Sequence, residues 1–366
     1  MRGGHKALEL VREKTSLATF KVAATYIGTV VGAGFASGQE VLQFFGFFGA
    51  NGFWGMLTAT VLFALFGWLV LDLGMRLKAK SHVEVIHYAA GRWIGTAVDY
   101  VITFFLFGAF TAMAAGAGAI FAEQFHWPAI IGSGFLVLVT LLTVMMGLNG
   151  VINSISMIVP LLLGSVVGIG IWTLYNTQFY LNPVINAAPA KAAVPFWPLA
   201  AVIYVSYNLV MAVAVLAPTG AKYSQPRVLR NGAILGGIGL GLGALAIFMA
   251  VGPNLPQAAG FEIPMIYVAG RLNPLLRTLY SFVLLAEIYT TAVGCLYGFV
   301  ARVTVPDGSK AKYYIIGISI AALLASTLGF TTMVRTLYPA VGYAGLLLLL
   351  GLTYYLYRRI REPQFK

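Results

Sequence analysis

Long apolar runs alternate along the chain with short clusters of polar residues, glycine, proline and charge. A helix that crosses a bilayer needs about 20 mostly apolar residues, and the runs between those clusters predict ten helices. They cover 20–49, 52–75, 96–122, 128–147, 150–175, 196–217, 230–252, 274–301, 312–330 and 336–357. Five of the six tryptophans (Trp54, Trp93, Trp127, Trp172, Trp197) fall near predicted span ends, as in an interfacial aromatic belt. The pattern is that of an all-α, polytopic integral membrane protein.

Composition sharpens that picture. Sixty per cent of the 366 residues are hydrophobic and 9% are charged, against about 25% charged in a soluble domain. A water-soluble globule is excluded. The net charge of +12 is distributed by topology rather than gathered into a nucleic-acid surface. With the N-terminus inside, only Lys191, Arg271, Arg277 and Arg335 of the 23 Lys and Arg fall outside. Cytoplasmic loops retain basic residues, so both termini are expected in the cytoplasm, at the cell membrane. The lone Cys295 excludes an internal disulfide and a cysteine-based metal cluster. The first apolar run is too long for a signal peptide.

Two connections look alike. Glu84-Val-Ile-His-Tyr88-Ala-Ala-Gly91-Arg92 precedes span three, and Glu262-Ile-Pro-Met-Ile-Tyr267-Val-Ala-Gly270-Arg271 precedes span eight. Both carry Tyr-x-Ala-Gly-Arg, once on each side of the membrane. Duplication of a five-helix unit does this, because an odd number of spans inverts the second copy. The alternative is chance likeness between two interfacial loops. The repeat divides the chain into an N-terminal segment (1–19), a first unit (20–176), an outer connection (177–195), a second unit (196–358) and a C-terminal tail (359–366).

The first apolar segment is longer than one span needs, and its middle reads Gly28-Thr-Val-Val31-Gly32-Ala-Gly34-Phe-Ala-Ser37-Gly38-Gln39-Glu40. Each interior glycine costs a helix about 1 kcal/mol relative to alanine. Ser37-Gly-Gln-Glu40 ahead of an apolar run reads as a capping box. A helix start in mid-membrane predicts a chain that stops being helical near Gly32 and restarts near Gly38, lining a cavity. The competing reading is a continuous helix whose glycines serve close packing. Span six is the matching place in the second unit, and Ser206, Tyr207 and Asn208 there fit either local unwinding or interhelical hydrogen bonding.

The glycine-rich run and the ten-span plan resemble the LeuT-type fold of the amino acid–polyamine–cation (APC) transporter superfamily. The resemblance is strongest to the YkvI-like membrane proteins and covers nearly the whole chain. It implies a 5+5 inverted repeat with helix 1, and helix 6 with it, interrupted. It also makes the loop 253–273 similar to the hairpin that lids such transporters. A sodium ion would sit between helices one and eight, on the carbonyls of Gly28, Val31 and Glu287 and the hydroxyls of Thr290 and Thr291. Oxygen-only ligation suits Na⁺, whereas the two threonines could equally bond back to the preceding turn. The acidic Glu287 departs from the family pattern. A mid-span carboxylate marks an ion or proton path by default, so Glu287 is a candidate cation ligand, proton-coupling group or counter-ion to a cationic solute; a protonated structural glutamate is the alternative.

Other acids are less telling. Asp72 and Arg76 are one helical turn apart and read as an ion pair; Asp99 is either solvated or part of an inner gate. His5, His87 and His126 form no metal-ligand group, and no phosphate loop, HExxH or nucleophile–base pattern occurs, so no enzyme activity is expected. The resulting expectation is a secondary active transporter, working by alternating access, for a zwitterionic amino acid or small amine coupled to Na⁺ or H⁺. Gly32, Gly34, Phe35, Ser37, Gly38, Gln39 and Glu40 would line its substrate site, with Gly108 and Thr111 of span three and Ser206, Tyr207 and Asn208 of span six. A ligand sensor of the same fold, without net transport, is the rival. No resident cofactor is expected; the partners are the lipid bilayer and a small solute, not nucleic acid.

Overall fold

A computed structural model describes residues 2–146, 159–176, 189–223, 225–304 and 310–361, and every regular element among them is helical. In chain order the α-helices are α1 (Arg2–Val30), α2 (Ala33–Ala36), α3 (Gln39–Phe44), α4 (Ala50–Leu77), α5 (His82–Phe125), α6 (Ala129–Met145) and α7 (Val159–Asn176). They continue with α8 (Trp197–Tyr223), α9 (Pro226–Val251), α10 (Leu255–Ala258), α11 (Pro264–Leu272), α12 (Pro274–Val303), α13 (Ala311–Ala325) and α14 (Phe330–Arg361). Among the described residues, seven helical segments are long and apolar enough to cross a bilayer. Expected span five begins outside the described residues, as does most of the outer connection, 177–188.

Helical backbone stops at Val30 and resumes in two short pieces. Gly32 is extended (φ −127°, ψ −173°), and Gly38 is left-handed (φ 81°) between α2 and α3. A residue with a Cβ would be strained at Gly38.

Two sequence expectations are corrected here. Ser37 and Glu40 do not form a capping box: the Ser37 N–H already donates to the Ala33 carbonyl (2.8 Å), and its hydroxyl donates to the Gly34 carbonyl (2.8 Å). Glu40 turns instead toward Tyr207. Span six is not interrupted, because α8 runs unbroken through Ser206, Tyr207 and Asn208. The Ser206 hydroxyl donates to the Gly342 carbonyl of α14 (2.7 Å), and the Asn208 amide donates back to the Tyr204 carbonyl (2.9 Å). Polar side chains satisfied in this way give the helix no reason to open.

The helices sort into two groups. α1, α4, α8 and α9 pack on one another, and α5, α6, α12 and α13 form a second set; α14 lies against α5 and α8. Backbones approach closely where α4 meets α8: a Cβ at Gly74 would lie 2.2 Å from the Ala217 carbonyl oxygen, and one at Gly220 would lie 2.1 Å from that of Leu71. Nearby, the buried Asp72 Oδ2 accepts from Arg76 (2.8 Å), Arg359 (2.9 Å) and Tyr355 (2.8 Å), tying α4 to α14.

The two Tyr-x-Ala-Gly-Arg stretches have related surroundings. The first ends a short helical arm of α5 that kinks at Gly91 (φ 78°) before the long span. The second lies in the short α11, which breaks at the extended Asn273 before α12.

Candidate functional site

A cavity of about 400 Å³ lies between the two helix groups. Its inner face is built from the interruption of the first helix (Gly28 to Gly34), with Glu40 behind it. α5 contributes Ile102, Phe105, Leu106, Ala109 and Met113. From α8 come Tyr207, Asn208 and Met211, from α12 Glu287, Thr290, Thr291, Gly294 and Cys295, and from α14 Tyr338. The cavity then runs along α5 and α12 to His82 and Arg302, at the end of the bundle that also carries Arg76 and Arg358.

The interruption exposes polar backbone to this space. No hydrogen bond among the described residues ends on the carbonyls of Gly28 or Val31, because the helical ladder has no N–H in place to meet them. Thr291 of α12 stands opposite: a Cβ at Gly32 would lie 3.6 Å from its hydroxyl oxygen. The Thr290 hydroxyl donates to the Glu287 carbonyl (2.9 Å), one turn back, and its lone pairs remain available. Glu287 is 2% exposed, and its Oε2 has no hydrogen-bond partner among the described residues. An orphaned buried carboxylate oxygen is costly, so this donor set fits a hard cation or a proton.

Glu40, also buried, forms the other acidic pole. Tyr207 donates its hydroxyl proton to Glu40 Oε2. The carboxylate folds over Gly34, where a Cβ would come within 2.0 Å of Oε1. Only glycine leaves room there. Around this pair, Tyr207 and Tyr338 have ring centroids 5.1 Å apart, and Phe105 lies 5.5 Å from Tyr338 and 6.2 Å from Tyr207.

Of the expected substrate residues, Gly32, Gly34, Glu40, Tyr207 and Asn208 line the cavity, and all five expected ion residues do so. Seven do not, each for a visible reason. Phe35 packs against Gly243, and Gly38 sits under Met265. The Ser37 carbonyl accepts from the Met265 N–H (3.0 Å). Gln39 donates to Thr331 (2.9 Å), and the Thr111 hydroxyl bonds back to Phe107 (3.0 Å). Gly108 faces Leu337, and Ser206 is held by Gly342. Several of these contacts close the opposite end of the cavity. There the Tyr280 hydroxyl donates to the Ala36 carbonyl, the Glu262 N–H donates to Glu123 (2.7 Å), and the Phe330 N–H donates to Glu262 (2.7 Å).

The sequence leaves Asp99 either solvated or part of an inner gate and does not reveal its partners at the open mouth. Arg302 donates to Asp99 Oδ1 (2.7 Å) and Thr103 (3.0 Å), with His82 against both charged groups. Asp99 is thus an ion-paired residue rather than a free solvated one. A separation of 203 residues hides that pairing from any local pattern. Tyr338 was likewise invisible, being one tyrosine among 19.

No protein-family profile matches the chain. The chain is 31% identical over 340 residues to the membrane protein YkvI of Bacillus subtilis, covering 91% of this chain and 95% of that protein. Among solved structures, it resembles MhsT in complex with L-phenylalanine, with a TM-score of 0.60, 17% identity, and coverage of 92% of this chain and 87% of that one. It also resembles a Na⁺-coupled sialic acid symporter in a substrate-bound outward-open state, with a TM-score of 0.60, 15% identity, and coverage of 91% and 78%. These likenesses establish a shared LeuT-type fold.

Proposed function

The chain belongs to the family of the Bacillus subtilis membrane protein YkvI, and from that footing we propose that it is a secondary active transporter of a small solute bearing an amino group. The solute is a zwitterionic amino acid or a small amine, and Na⁺ or H⁺ is the coupling ion. In this reading ten spans form a 5+5 inverted repeat of the APC type in the cell membrane, with both termini cytoplasmic. The transporters of the same fold lend support: one binds L-phenylalanine and another is Na⁺-coupled.

The observation that carries the proposal is the cavity between the two helix groups, centred on the break at Val31–Gly32 and flanked by two buried carboxylates. A buried charge in a membrane protein is expensive and needs a partner. A coupling cation on the Gly28 and Val31 carbonyls, Glu287, Thr290 and Thr291 would bridge α1 of one group to α12 of the other. A ligand that binds one arrangement of the groups better than another shifts the population between them. Binding of the ion and binding of the solute are thereby linked through one movement.

Uptake of labelled amines and amino acids into proteoliposomes, under an inward Na⁺ or proton gradient, tests the reading. Accumulation above the equilibrium level is the expected result. Tight binding with no accumulation under either gradient overturns it in favour of a ligand receptor.

A further inference from the structure

We infer that the solute is an organic amine lacking a carboxylate, its ammonium held by Glu40 beside the rings of Tyr207, Tyr338 and Phe105. This deepens the transporter reading and rests on it for the word transport, though not for binding.

The start of a half-helix in mid-membrane ordinarily favours an anion, through its free N–H groups and its dipole. In this chain that place is taken. α2 is a single turn of four residues, and the Glu40 carboxylate lies folded on Gly34 within it, so close that a methyl group could not fit between them. The protein supplies its own carboxylate where an amino acid's would go. A second anion would meet it at contact distance in a medium of low dielectric.

The charges lining the cavity agree. Glu40 and Glu287 are its acids. The basic groups on its wall are His82 and Arg302, both at the open mouth, and Arg302 is committed to Asp99 and Thr103. Among the described residues, no cation faces the middle of the cavity to receive a substrate carboxylate.

The rings complete the case. Tyr207, which donates to Glu40, is packed with Tyr338 and Phe105 on the same wall, the ring centroids 5.1 to 6.2 Å apart. Aromatic rings next to a carboxylate can add cation–π attraction to the charge that draws an ammonium. Ile102, Leu106, Met113 and Met211 give the rest of the ligand an apolar bed. The two acids then have separate tasks, Glu40 for the solute and Glu287 for the coupling cation.

The experiment compares matched pairs on the purified full-length protein: phenethylamine against L-phenylalanine, and isoamylamine against L-leucine. Thermal shift reads binding, and proteoliposome uptake reads transport. Each amine should raise the unfolding temperature at concentrations where its amino acid does not, and E40Q should weaken amine binding by about 30-fold or more, the scale for truncating a buried charge pair. E40Q that keeps the wild-type far-UV circular dichroism and a single size-exclusion peak is folded; if it does not fold, the wild-type pairs decide alone. Equal or tighter binding of the amino acids, or no shift from either member of both pairs, overturns the inference. Amines that bind without gradient-driven accumulation would sink the transporter reading and leave this one standing. Amino acids that accumulate while amines do not would do the reverse.

Discussion

The hydroxyl of Tyr207 on α8 donates to Oε2 of Glu40 on α3, 167 positions earlier in the chain. This bond fastens the segment after the helix break to a continuous span and fixes where the buried carboxyl group sits. Leaving one partner of a buried hydrogen bond unsatisfied costs about 1–3 kcal/mol. Y207F should therefore lower the unfolding midpoint in the wild-type background and lower it much less in the E40Q background. Equal losses in both, in a double-mutant cycle, would show that the bond carries no coupling.

G34A places a methyl group where the Glu40 carboxylate lies, 2.0 Å from Oε1. Glu40 must swing away from the break. Solute affinity should fall about tenfold or more, since even a small displacement of a positioned group costs on that scale. Isothermal titration of the bound amine checks this. Unchanged affinity would mean that the carboxylate takes no part in recognition.

Thr291 faces Gly32 across the two helix groups, and Thr290 lies one turn from Glu287 on the same wall. Replacing both threonines by alanine should abolish the stimulation of uptake by Na⁺. E287Q should uncouple solute movement from the gradient, leaving exchange without accumulation. Retained sodium stimulation in the first variant, or wild-type accumulation ratios in the second, would remove the ion from this site.

Asp72 lies away from the cavity and holds Arg76, Arg359 and Tyr355 on a single oxygen. D72N should cost about 3 kcal/mol of stability, the low end for breaking a buried pair, because both arginines can still reach water. Solute affinity should stay as it was. A thermal melt together with a binding isotherm on the same preparation separates the two quantities.

Much of this architecture was legible in the sequence because hydrophobic length and glycine spacing are local signals. The run from Gly28 to Glu40 announced non-helical backbone, and the Asp72–Arg76 spacing announced an ion pair. What failed was the assignment of individual polar groups. Residue types alone suggest a capping box, yet the Ser37 N–H is taken by the Ala33 carbonyl, which leaves Glu40 free to reach Tyr207. Ser206 and Asn208 suggested an unwound span six, but both find acceptors without leaving the helix. The pairing of Asp99 with Arg302, and the second arginine on Asp72, join chain positions too distant for any motif to connect.

A carrier working by alternating access opens its cavity to one side of the bilayer at a time. Cys295 is the only cysteine in the chain and lines that cavity, so it is a native reporter. Side-selective alkylation with a membrane-impermeant thiol reagent, in proteoliposomes of known orientation, measures its accessibility directly. Without ligand, labelling should come from the side bearing Arg302, and saturating Na⁺ with amine should slow it there while opening it from the other. Simultaneous labelling from both sides, or from neither under any condition, would rule out alternating access.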